Sequence, residues 1–369
     1  MGPFWGPIVI SGVISACGSD AAPPAPPADA AVPIEADAAV DAAAGDTWPW
    51  AGLEEVHPLA PDAIEHVVPT PYSRPSYTHL AETGFFDPDG MPSANLTPFV
   101  PNHVLWSDGA EKRRWIKLPA RAQIDTRDMD HWVLPIGTKF FKQFSLDGKK
   151  LETRLVEKYG PGPDDFWLGA FVWNEAQDDA VFMMDGKADI LGTPHDAPAQ
   201  KQCWSCHLGE PGRGLGFSAM QLAGTGAGIR LDDLVKDDLL TNPPTRTDFH
   251  PPGDTVVAAA LGYLHANCGH CHNRNGTSWP DTQMDLRLNV DDFVPQMTGA
   301  YRTALGQRLQ SYVRNAAYDT RVVAHDPSKS ALYFRMSQRG PGDQMPPLAT
   351  EMVDPTGLDL VKRWIESLP

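Results

Sequence analysis

Apolar positions along the chain follow two different spacings. Between Lys139 and Glu157 they read as strands: Phe141, Phe144 and Leu146 lead into Asp147-Gly148, and Leu151, Thr153, Leu155 and Val156 follow. Asp-Gly between β-prone runs favours a tight turn, so this stretch predicts a β-hairpin. From Asp254 the spacing becomes helical. Val256, Val257, Ala260, Leu261 and Leu264 recur on one face, as do Leu358, Val361, Trp364, Ile365 and Leu368 near the end. Asp354 suits the N-cap of that last helix and Pro355 its first position, which predicts a helix from Pro355 to Leu368. Another helical stretch is expected over Ser328 to Gln338, with Met336 in the core. Ahead of Cys203 the pattern gives no helix; Pro194, Pro198 and Ala199 predict an extended loop.

The opening of the chain has neither pattern. Phe4 to Ile14 is apolar but too short to span a bilayer comfortably. Residues 18–46 are Ala, Pro and Asp with no aromatic residue and no Lys or Arg, which predicts a disordered tether. The expected organisation is a signal peptide over 1–17, the tether over 18–46, a loop-rich lead-in over 47–94 and a β-rich domain over 95–185. A first motif-bearing segment over 186–252 and a mainly helical domain over 253–369 follow. The fold class is then α+β and multidomain, with a sandwich-like β-rich part whose tryptophans serve packing.

Composition narrows the function. The 369 residues suffice for about two domains plus tails at about 150 residues each. A net charge of −17 argues against nucleic acid as a partner. It suits a basic or mixed-charge protein, although acidity also serves plain solubility.

The five cysteines carry the chemistry. Cys203 and Cys206 precede His207, and Cys268 and Cys271 precede His272, giving two C-x-x-C-H motifs. In c-type haem attachment two thiols add to the porphyrin vinyl groups and the next histidine becomes the proximal iron ligand, so two covalently bound haem c groups are expected. A zinc site made from the two pairs would want about 15–20 residues between them, against about 60 here, and redox disulfides are the remaining alternative. For the second iron, Met345 in Gln344-Met345-Pro346-Pro347 is the candidate sixth ligand, because the following prolines stiffen its loop. For the first iron, His195 and Met220 are candidates beside Met183 and Met184, and a five-coordinate site stays open. His270, between the cysteines of the second motif, is expected to be a solvated side chain. Cys17 closes Ile14-Ser15-Ala16-Cys17, which resembles a bacterial lipobox and implies lipidation at Cys17 and an anchor in the cell envelope, with the following Gly18 implying the outer membrane. No Lys or Arg precedes the apolar stretch, and secretory cleavage or an uncleaved anchor are the alternatives.

The order of these features resembles a poorly characterised family of exported dihaem c-type cytochromes with an N-terminal β-rich domain. The match is carried by Phe171-Val172-Trp173-Asn174-Glu175, His195 to His207 and Leu261 to Asn273. It continues with Asp326-Pro327-Ser328, Gln344-Met345-Pro346-Pro347 and the helix ending Trp364-Ile365. It extends from Asn95 to Leu368, and departs at Arg274, where a proline is common. The resemblance implies haem binding and electron transfer. The expected function is a membrane-tethered carrier of single electrons in the bacterial envelope, facing the periplasm and serving a redox protein partner. The alternative is a dihaem peroxidase, or the cytochrome subunit of an envelope dehydrogenase.

Overall fold

A computed structural model describes residues 72–369 except 312, 313 and 341. The expectations for the signal peptide, Cys17, the tether and the start of the lead-in lie outside the described residues. All described residues belong to one compact unit.

Six strands form one antiparallel sheet in sequence order: β1 (Thr97–Pro98), β2 (Glu111–Lys117), β3 (Lys139–Leu146), β4 (Lys149–Lys158), β5 (Phe166–Trp173) and β6 (Ala180–Phe182). The hairpin expected at Asp147-Gly148 joins β3 to β4, pairing Leu146 with Lys149. Both turn residues have positive φ, 50° and 74°, the type I′ geometry whose twist suits two strands. Cross-strand neighbours share a face, so Ile116, Phe140, Val156 and Leu168 line up on one side. Trp115, Phe141 and Leu155 line up on the other.

Both faces are buried, and among the described residues neither is covered by a second sheet. On the Phe141 side, Leu80 and Phe85 from the lead-in, together with Leu96, pack with Trp167, Phe171 and Trp173. On the Phe140 side the cover is helical, and this is where the fold departs from a sandwich. The α-helices of the described residues are α1 (Gln200–His207), α2 (Ala219–Leu222), α3 (Leu231–Lys236), α4 (Thr255–Asn267), α5 (Trp279–Thr282), α6 (Gly299–Thr303), α7 (Ala331–Ser337) and α8 (Pro355–Ser367). Leu261 and Leu264 of α4, and Val361 and Trp364 of α8, belong to the same apolar core as Ile116, Phe140, Val156 and Leu168. The inward face of the sheet is satisfied by helix stripes, so it needs no second sheet. The architecture is α+β. Among the described residues no helix is long and apolar enough to cross a membrane.

The two long helices begin where their caps dictate. The Asp254 carboxylate accepts from Val256 N and Val257 N, both at 3.0 Å, and opens α4. Asp354 accepts from Gly357 N at 2.9 Å and opens α8 with Pro355 in the first turn. The helices cross at Gly357, where a Cβ would lie 2.2 Å from the Tyr263 ring, so only glycine permits this approach. α1 is the exception to the sequence reading. The chain is extended through Ala199, as the prolines imply, but a helix starts at Gln200 and carries Cys203, Cys206 and His207 on two turns.

Candidate functional site

Each C-x-x-C-H motif opens on its own cavity, and the two cavities adjoin. The first encloses about 950 Å³ measured to its rim and is lined by Cys203, Cys206 and His207 from α1, by residues of β2–β4, and by Leu348 to Thr350. The second encloses about 1170 Å³ and is lined by Cys268, Cys271, His272, Met345 and helix α7. Cys206, His270, Pro346 and Leu348 line both.

The first motif is fixed by a stitched turn. His207 Nδ1–H donates to the Arg213 carbonyl at 2.6 Å, which leaves Nε2 as the ring atom able to bind a metal. Arg213 is itself held by the carbonyl of Glu210 at 2.8 Å and by Asp164 Oδ1 at 2.8 Å. Burial pushes His207 down to about 4, so near neutral pH it is the uncharged imidazole that metals require. Burial also pushes the Cys203 thiol up to about 11.

The second motif follows directly from α4. Cys268 is the C-cap, its N–H donating to Leu264 O at 2.9 Å, and His272 N closes a turn onto Cys268 O at 2.8 Å. The His272 ring is buried, its Nδ1 has no hydrogen-bond partner, and burial lowers its basicity to about 4. Cys268 is raised by burial to about 12. None of the four motif cysteines forms a disulfide.

The motifs touch each other. Cys271 Sγ–H donates to the Ser205 carbonyl at 3.3 Å and Thr277 Oγ1 donates to the same oxygen at 2.9 Å. A Cβ on Gly209 would lie 2.1 Å from the His270 carbonyl, so a glycine after His207 is what lets the two loops meet. Donor atoms of Cys206, His270 and Cys271 all fall within 4.8 Å of one another. The neighbouring Cys271 side chain holds the Cys206 thiol below its ordinary range. Contact between the loops also buries His270, which has 8% of its surface exposed, against the expectation of a solvated side chain. Three such donors fall short of the four that a structural zinc takes.

The remaining sequence candidates separate cleanly. Met345 sits on the second cavity with His272, its N–H donating to Arg335 O at 3.0 Å. Met336, expected in the core, and Met284, which the sequence did not single out, line the same wall. Neither His195 nor Met220 lines either cavity. His195 is buried against the Phe144 ring and its Nε2 donates to Glu152 Oε1 at 2.8 Å, while Met220 of α2 is a core residue. Among the described residues no methionine lines the first cavity. Its sheet wall instead presents Arg114, Lys142 and Arg154, which sequence reasoning missed. The signal was present: in β3 Lys142 falls between Phe140 and Phe144 on the inward face, where alternation calls for an apolar residue.

No family model, no curated protein and no solved structure matches the chain.

Proposed function

We propose that this chain is an envelope electron carrier holding two covalently attached haem c groups, one in each cavity. The observation that carries the reading is that each C-x-x-C-H opens on a cavity of its own, with the two adjoining at Cys206 and His270. The residues fit the group. Four free thiols are available for thioether bonds, and His207 and His272 are neutral, buried imidazoles at the cavity walls. The unpartnered Nδ1 of His272 is what a ring not yet turned onto a metal would leave. Each haem iron, when bound, supplies a one-electron couple.

The protein's own residues supply the rest. His207, oriented by the Arg213 carbonyl, and His272 would each hold an iron from below. Met345 would close the second iron and raise its potential. The shared wall of Cys206 and His270 would set the two groups close to each other. A lipid anchor at Cys17 and a periplasm-facing position, with a protein redox partner, complete the reading and follow from the sequence alone.

Expression in a cytochrome-maturing host tests it. Pigment should survive acidified acetone, and haem quantification should give two per chain, falling to one in a Cys203→Ser/Cys206→Ser variant and likewise in a Cys268→Ser/Cys271→Ser variant. Colourless protein sinks the proposal. The peroxidase alternative is favoured by one observation, that among the described residues the first cavity wall carries no methionine. Rapid turnover of peroxide with a reduced donor would replace the carrier by an enzyme.

A further inference from the structure

Residues 104–108, just ahead of β2, touch both elements that carry the second site. Asn267, the residue of α4 before Cys268, donates through Nδ2 to Val104 O at 3.1 Å and accepts at Oδ1 from Trp106 N at 2.7 Å. Two positions on, Asp108 reaches the far end of the Met345 loop. Its Oδ1 accepts from Glu351 N at 2.9 Å and from Met352 N at 2.8 Å, and Trp106 Nε1 donates to Met352 O at 3.3 Å. One short strap therefore ties the end of α4 to the end of the loop.

The local sequence shapes the strap for this contact. Ala110 N donates to Ser107 O at 2.9 Å, closing a turn whose central residues, Asp108 and Gly109, have φ of 53° and 75°. Asp tolerates the left-handed backbone better than most side chains, and Gly adopts it freely. The turn leaves Asp108 buried, with 4% of its surface exposed. A carboxylate accepting two backbone N–H groups there is a strong tie, because charge-assisted bonds are about twice as strong as neutral ones. The loop's own bonds do a different job. Met345 N to Arg335 O, Gly340 N to Gln344, Gln344 to Thr350 O, and Arg339 Nη2 to Met352 O all stay within residues 335–352. They keep the shape of the loop, whereas Asp108 fixes where that shape sits relative to the helix that leads into His272.

We infer that Asp108 is a positioning residue for the second iron, holding Met345 in place as the sixth ligand through Glu351 and Met352. The inference rests on the dihaem reading with Met345 as ligand, and adds what keeps the thioether at its post.

The test uses full-length protein matured with its haems. Asp108→Gly keeps the backbone of the turn and removes the acceptor. It should retain two haems per chain, lower one of two spectrally resolved midpoints, and speed cyanide binding at that iron about tenfold or more, the size expected for losing hydrogen bonds to a charged group. Asp108→Asn keeps a side-chain oxygen and should stay close to wild type. Asp359→Asn, which breaks an exposed ion pair with Arg363 on α8, should match wild type. If Asp108→Gly fails to mature, hydrogen exchange in the wild type decides. Coupling is reciprocal, so the Glu351 and Met352 amides should exchange faster once cyanide has displaced Met345. Unchanged exchange overturns the inference. So does an Asp108→Gly protein with unmoved midpoints and slow cyanide binding while Met345→Ala shifts both, which leaves Met345 ligation and the carrier reading intact. A Met345→Ala protein that behaves as wild type removes the ligand and this inference together, with two haems still in place. Wild-type protein without covalent haem overturns the dihaem reading as well.

Discussion

Met345 shares its cavity wall with Met284 and Met336, and what fixes each backbone sets the three apart. Met336 is one turn of α7 and its direction is that of the helix. Met345 lies in a loop tied at several points: its own N–H donates to Arg335 O at 3.0 Å, and the adjacent Gln344 bridges Gly340 N and Thr350 O at 2.9 Å each. A loop braced this way can hold a thioether at a fixed point. Met345→Ala should therefore lower one midpoint potential and open that iron to added ligands, while Met284→Ala and Met336→Ala keep it closed; absorption spectra with added cyanide or imidazole distinguish the cases. A second residue-scale consequence concerns protons. His103 packs on Gly262 of α4, and burial pushes it down to about 4. The unfolded chain would bind a proton there at about 6.5, so the unfolded state holds more protons between those values and stability falls as pH drops through that window. His207 and His272 would be bound to iron in mature protein, leaving His103 able to titrate. The stability difference between wild type and His103→Asn should be flat above about pH 6.5 and should shift in favour of the variant by up to about 3 kcal/mol near pH 4, read by denaturant titration at a series of pH values.

At the scale of elements, what was legible in the sequence is what local chemistry decides. The Asp147-Gly148 hairpin, the helix that follows Asp254, the Asp354 cap and the helical stretch around Met336 all depend on residues a few positions apart, and all have the expected form. The start of α1 was not legible. Pro194 and Pro198 speak for extension, and nothing local says that the chain turns helical at Gln200; the contact of this segment with the sheet does, through Gln200 Nε2 donating to Leu168 O at 2.7 Å. The burial of His270 was hidden for the same reason, since it arises from contact with Gly209, about 60 residues away in sequence. The α4–α8 crossing offers a clean test of element packing. Gly357→Ala would improve helix propensity by about 1 kcal/mol but drive a methyl into the Tyr263 ring. Overpacking of this kind costs about 1–3 kcal/mol, so net destabilisation is expected, seen as a lower thermal midpoint. A raised midpoint would mean that the helices can separate freely, and the crossing would lose its place as a fixed feature of the site.

The whole molecule is held by a core that ignores the boundary suggested by the hydropathy pattern. Ile116, Phe140, Val156 and Leu168 of the sheet, Cys203 and Met220 of the middle segment, and Leu261, Leu264, Val361 and Trp364 of the helices form one buried cluster. Separating sheet from helices would expose both sides of that cluster to water at about 25 cal/mol per Å² of apolar surface, a penalty neither part has an internal substitute for. It would also take the sheet wall away from Cys203, Cys206 and His207 and leave the first cavity open. Thus the β-rich part serves as one side of the first site and cannot act as a detachable docking module. Two consequences distinguish this from a pair of independent domains. Denaturation followed by tryptophan fluorescence, to which Trp167 and Trp173 of the sheet and Trp364 of α8 all contribute, should show one transition and coincide with denaturation followed by far-ultraviolet circular dichroism. A chain reduced to residues 253–369 should fail to give a stable folded protein, because the faces of α4 and α8 that meet the sheet would be left exposed. Two separated transitions, or a well-folded helical fragment, would show that the shared core contributes little and that the first site is built by α1 and its loops alone.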